Sequence, residues 1–77
     1  MVKPTRVSNS IRALRFANDE MTQAELAERV GVTRQTIIAI EQGRYSPSLE
    51  MAFQIAHVFR QPLDSVFHYP EEEGESR

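Results

Sequence analysis

Apolar residues recur along this chain at helical spacing, and polar or turn-forming residues divide it into five short segments. Val7, Ile11 and Leu14 stand at i, i+4 and i+7, with Ala17 continuing the stripe. That pattern predicts a helix begun by Thr5 or Ser8 and running to about Ala17. Arg12 and Arg15 point away from the stripe. Asn18-Asp19-Glu20 breaks it, and Met21 stands where a hydrophobic staple would precede a helix. Thr22 and Glu25 have the spacing of a capping box, and Leu26, Ala27 and Val30 form the apolar stripe of a second helix. Gly31 ends that helix, where a left-handed backbone is inexpensive for glycine. Thr33 caps a third helix, about Arg34 to Gln42, with Ile37 and Ile40 inward and Gly43 closing it. Ile38 lies about 100° around from Ile37, so it does not fully share the inward face. Ser48 caps a fourth helix, Leu49 to about Phe59, polar only at Glu50, Gln54 and His57. A helix apolar nearly all round is expected to be central and buried, with that polar stripe its one wet line. Leu63, Val66 and Phe67 predict a fifth helix of one or two turns, ended by His68-Tyr69-Pro70. No strand signal and no internal repeat is visible. The expected fold class is all-α, a five-helix domain over residues 7–69. It lies between a flexible arm, 1–6, and a disordered acidic tail, 70–77.

Composition changes this picture in two places. The chain has 77 residues and no cysteine, which fits one small domain with a modest core and neither a disulfide framework nor a thiolate metal site. No apolar stretch is long enough to span a bilayer and no apolar run follows the N-terminal charges, so a cytoplasmic protein is expected. The formal net charge of -2 argues at first against nucleic acid. The acidity, however, is local. Residues 1–69 carry eight Lys or Arg against seven Asp or Glu, whereas residues 70–77 carry four Glu against one Arg. The folded part is near neutral, and the tail is expected to repel DNA and tune affinity. What matters then is whether the arginines share a face.

Residues 22–43 contain two short helices joined by very few residues around Gly31, so the helices must cross steeply. That is the geometry of a helix-turn-helix, whose second helix enters the major groove of DNA. The ordered features of this stretch resemble those of the phage repressor and Cro type of helix-turn-helix, also called the xenobiotic-response-element family. They are Gln23 opening the motif, Ala27 at the crossing, Gly31 in the turn, Ile37 and Ile40 inward, and Glu41-Gln42-Gly43-Arg44 at the end. Pro47-Ser48-Leu49 and the closing Leu63…Val66-Phe67 extend the resemblance over roughly residues 7–69.

The resemblance implies a lambda-repressor-like DNA-binding domain with its helix-turn-helix at helices 2 and 3. It implies an ion pair between Arg15 and Glu41, and a small residue at Ala27 so that the helices approach. On the DNA side it implies base contacts from Arg34, Gln35, Thr36 and Ile38, and phosphate contacts from Gln23, Thr33, Gly43 and Arg44. Arg34 suits the O6 and N7 of guanine and Gln35 the N6 and N7 of adenine. Ile38 has two readings, peripheral packing or contact with a thymine methyl. The expected partner is palindromic double-stranded DNA bound by a homodimer, with Leu63, Phe67, Tyr69 and the polar stripe of helix 4 as candidate dimer residues. No cofactor, no metal, no membrane and no small-molecule ligand is expected. An enzyme is disfavoured because Asp64, Ser65 and His68 crowd one short helix and cannot converge as nucleophile, base and orienter. An antitoxin or a protein-interaction module on the same fold is the alternative.

Overall fold

A computed structural model describes residues 5–70. Its elements in chain order are β1 (Ser8–Asn9), α1 (Ile11–Ala17), α2 (Gln23–Val30), α3 (Arg34–Glu41), α4 (Leu49–Val58), α5 (Leu63–Val66) and β2 (Phe67–His68). The reading of an acidic tail concerns residues almost wholly outside that range.

The helix boundaries follow from side-chain chemistry. Thr22 Oγ1 accepts from the Glu25 N–H at 3.0 Å while Glu25 Oε1 accepts from the Thr22 N–H at 2.8 Å, a complete capping box. Met21 before the cap and Leu26 after it are both buried in the core, the arrangement of a hydrophobic staple. Thr33 and Ser48 cap α3 and α4 in the same way, accepting from the N–H groups of Thr36 and Met51. At Gly31, φ is +84°, and the N–H groups of Gly31 and Val32 both reach the Ala27 carbonyl. Gly43, at φ +74°, closes α3 in a similar left-handed turn. Arg60 adopts the left-handed region at the end of α4 although it is not glycine.

The core is one cluster. Ile11, Leu26, Ile37, Ile40, Ile55 and Val66 are fully enclosed, with Met21, Ala27, Val30, Ala56 and Phe59 around them. Every helix contributes, so the α2–α3 pair is seated on a common base formed by α1, α4 and α5.

Three expectations need correction. Helix 1 starts at Ile11 rather than after Thr5 or Ser8. Residues 8 and 9 are extended because they pair antiparallel with β2, Ser8 opposite His68 and Asn9 opposite Phe67. That two-residue ladder is also the strand pairing that the sequence did not signal; two residues are too few to display a period of two. Arg15, set apart from the apolar stripe by the periodicity of helix 1, is nevertheless buried, only 8% exposed. Finally, α4 is not buried all round. Ala52, Ile55 and Ala56 face inward, but Leu49 is 68% and Phe53 53% exposed. A chain this short lacks the mass to cover both sides of a central helix.

Candidate nucleic-acid interface

The N-terminal half of α3 faces outward. Arg34 and Gln35 are exposed and Thr36 is half-buried, while Ile37 and Ile40, on the opposite side of the same helix, are locked in the core. Ile38 and Ala39 are half-buried at the margin, so Ile38 packs peripherally and still keeps surface to offer. Thr33 is exposed, but its hydroxyl oxygen serves as the α3 cap and lies 3.0 Å from the Thr36 hydroxyl. The start of α3 is therefore a rigid platform whose free groups are the Arg34 and Gln35 side chains and the unbonded N–H groups of its first turn.

The other end of α3 is tied down by charge. Glu41 ends the helix, where the macrodipole disfavours a carboxylate. Arg15 offsets this: its Nε donates to Glu41 Oε2 at 2.7 Å and its Nη2 to Glu41 Oε1 at 3.2 Å. Both side chains are only 9% exposed. Arg15 Nη1 donates in addition to the Met21 carbonyl at 2.8 Å, while the Arg15 carbonyl accepts from the N–H groups of Asn18 and Met21. One residue thus holds the end of α1, the α1–α2 connection and the end of α3. The connection turns through consecutive left-handed residues, Asp19 and Glu20.

Gln23, expected at phosphate, is half-buried, and its side-chain amide donates to Glu41 Oε1 at 3.2 Å. What it presents outward is the first turn of α2. Arg44 is exposed, with its Nε donating to Gln42 Oε1 at 2.8 Å. The Arg44 N–H bonds the Ala39 carbonyl and the Gly43 N–H bonds the Ile40 carbonyl. The Gly43 and Arg44 backbone donors are thus used within the loop, and the Arg44 guanidinium is the group that remains for an anion. Gln23, Arg34, Glu41 and Gln42 line one groove between α1, α2 and α3.

Asn9 is a member of this framework that the sequence reading missed. Its Nδ2 donates to the Ile40 carbonyl at 2.9 Å and its Oδ1 accepts from the Ile11 N–H at 3.1 Å, so one amide holds the first N–H of α1 and anchors the end of α3. An asparagine two residues before the first helical position was the available signal. Asn9→Ala is expected to cost about 1–2 kcal/mol of stability, read as a lower urea midpoint with an unchanged slope.

Asp64, Ser65 and His68, expected on one short helix, are divided between two elements: Asp64 and Ser65 are exposed on α5, whereas His68 lies in β2 because it pairs with β1, its Nε2 2.9 Å from Ser10 Oγ. Among the described residues, no group of three or more His, Cys, Asp or Glu could hold a metal ion, and no helix is long and apolar enough to cross a membrane.

Comparison with known proteins agrees with this geometry. The helix-turn-helix family pattern matches residues 11–66. An uncharacterised HTH-type transcriptional regulator of Archaeoglobus fulgidus is 51% identical over 57 residues, which cover 74% of this chain and 80% of that protein. A cryptic-phage CTXphi transcriptional repressor of Vibrio cholerae is 38% identical over 56 residues, 73% of this chain and 50% of that protein. A solved structure from Bacteroides fragilis, described as a candidate DNA-binding protein, matches with a TM-score of 0.70 and 24% identity over 80% of this chain and 98% of that one. At that identity the likeness speaks to the fold alone.

Proposed function

This chain belongs to the Cro/C1-type helix-turn-helix family of DNA-binding transcriptional regulators, and on that premise we propose that it reads a palindromic operator as a homodimer. The observation that carries the reading is the two-sided character of α3. Its inner side is fixed by Ile37, Ile40 and the Arg15–Glu41 pair, and its outer N-terminal half offers Arg34 and Gln35. A helix so anchored enters the major groove with its first turns against base edges. Arg34, Gln35, Thr36 and Ile38 then contact bases. Gln23 and Thr33, at the N-termini of α2 and α3, and the Gly43–Arg44 loop beyond α3 hold phosphate. The protein acts in the cytoplasm by binding and not by catalysis. Residues 7–69 form the working domain.

One recognition helix covers too few base pairs for strong selectivity, so two copies on half-sites about 34 Å apart, one helical turn, are required. The surface assigned to the partner copy is built from Leu63 and Phe67, both half-buried, and the exposed Tyr69. These line one largely apolar depression with Val7. Leu63, Phe67 and Val7 continue from it to the exposed Leu49 and the half-buried Pro47, in the loop that also carries Arg44. Tyr69 also receives the Arg6 guanidinium over its ring at 5.7 Å.

Analytical ultracentrifugation of the protein alone and with palindromic DNA tests this. A dimer on DNA is expected, and Tyr69→Glu weakens self-association and operator affinity by roughly 10-fold, the effect of losing one interface anchor. A protein that binds the palindrome only as a monomer at every concentration contradicts the dimer.

A further inference from the structure

The proposed interface leaves one conspicuous feature of α1 unexplained. Phe16 is 53% exposed and outside the core, yet two guanidinium groups lie over its ring, Arg12 at 5.6 Å and Arg15 at 5.8 Å from the centroid. The two arginines differ in what else they do. Arg15 is buried and neutralised by Glu41. Arg12 is exposed, and among the described residues no carboxylate pairs with it. It sits one turn before Phe16, at i and i+4, the spacing at which helical side chains meet. An exposed phenyl ring of this kind gives a long cationic side chain a preferred direction.

That direction leads into the groove already described. Arg12 and Phe16 line it together with Gln23, Arg34 and Gln42. Gln23 and Arg34 are members of the proposed DNA contact, so a duplex seated there brings its backbone along the same depression. Of the charged residues lining the groove, Arg15 and Glu41 cancel, which leaves Arg12 and Arg34 against the single carboxylate of Glu20. The local balance is cationic although the whole chain is acidic.

We propose that Arg12, directed by the Phe16 ring, is a further phosphate-binding residue of this protein, extending the DNA contact from α2 and α3 onto α1. The assignment rests on the DNA-binding reading above. Because Arg12 faces backbone and not base edges, its contribution is independent of sequence and dependent on salt. Phe16 is a positioning residue, acting through Arg12.

The test uses the full chain on the DNA site that the wild-type protein selects, with affinity measured across a range of salt concentrations. Arg12→Ala is expected to reduce the slope of log affinity against log salt by about one per bound protomer, without altering base preference. Arg12→Lys retains that slope. Phe16→Leu retains it too but weakens binding several-fold, because the guanidinium is no longer held in place. Arg34→Ala serves as the reference and alters base preference. An Arg12→Ala protein with wild-type slope and affinity overturns this proposal while leaving the reference result intact. A change of base preference in Arg12→Ala overturns the phosphate assignment. Failure of the wild-type protein to bind any duplex overturns both this proposal and the reading beneath it. Arg12 is exposed and outside the core, so thermal melting of Arg12→Ala and Arg12→Lys is expected to match the wild type.

Discussion

Glu41→Ala is expected to destabilise this domain by about 3–5 kcal/mol, the cost of stranding a buried charge without its partner. The Arg15 guanidinium is the stranded group. It is 8% exposed, and the substitution removes two of its hydrogen bonds, to Oε1 and Oε2, leaving among the described residues the one to the Met21 carbonyl. Gln23 loses its acceptor at the same time. A small domain has on the order of 5–15 kcal/mol in total, so the variant retains a minor part of its stability. Urea titration followed by circular dichroism reads this directly as a large fall in midpoint. Replacing both partners with apolar residues, Arg15→Met with Glu41→Leu, is expected to restore most of the loss, because no unpaired charge then remains inside. A Glu41→Ala midpoint equal to that of the wild type would mean that the pair contributes nothing to the seating of α3.

Arg34→Ala carries the largest expected effect on binding. Arg34 is the first residue of α3 and exposed, and its guanidinium makes no hydrogen bond to another described residue. A bidentate arginine–guanine contact is worth about 1–3 kcal/mol of discrimination. With two copies on a palindrome the loss is taken twice. Operator affinity is therefore expected to fall by roughly two to four orders of magnitude, while binding to unrelated DNA at low salt changes little. Thermal stability should not change, since the side chain is exposed. Titration of labelled operator and of scrambled duplex, side by side, separates the two effects. Equal losses on both duplexes would assign Arg34 to phosphate instead of base.

The sequence made α2 and α3 legible because their ends are written in local chemistry. Thr22 with Glu25, Gly31, Thr33 and Gly43 each act on backbone groups within a few residues, and such contacts survive in a one-dimensional reading. The apolar stripes of α2 and α3 were legible for the same reason. The features that escaped depend on partners distant in the chain. Periodicity alone set Arg15 apart from the stripe of helix 1; it was the resemblance that paired it with Glu41, and its burial makes sense only with Glu41 packed beside it. Asn9 looked like part of a helix, whereas its amide reaches Ile40 across the fold. The β1–β2 pairing joins the two ends of the domain through two residues each. Helix 4 misled in the other direction. Its composition promised burial all round, but nothing in the described chain covers Leu49 and Phe53. Of the two, Leu49 flanks the apolar surface assigned to a second copy. For the site itself, the sequence pointed to α3 and the loop after it, but gave no sign that the Gln23 amide is held by Glu41 or that Phe16 stands outside the core beneath two arginines.

Recognition of DNA sequence by the exposed half of α3 is the central proposal. Selection of bound sites from a pool of random duplexes, run in parallel with the wild-type protein and with Arg34→Ala, tests it most directly. The wild type is expected to enrich a palindrome whose half-sites lie one helical turn apart, each with a fixed guanine. Arg34→Ala is expected to lose selectivity at that guanine and to keep the remaining positions. Enrichment of no motif by the wild type, or of the same motif with equal strength by both proteins, would contradict the account.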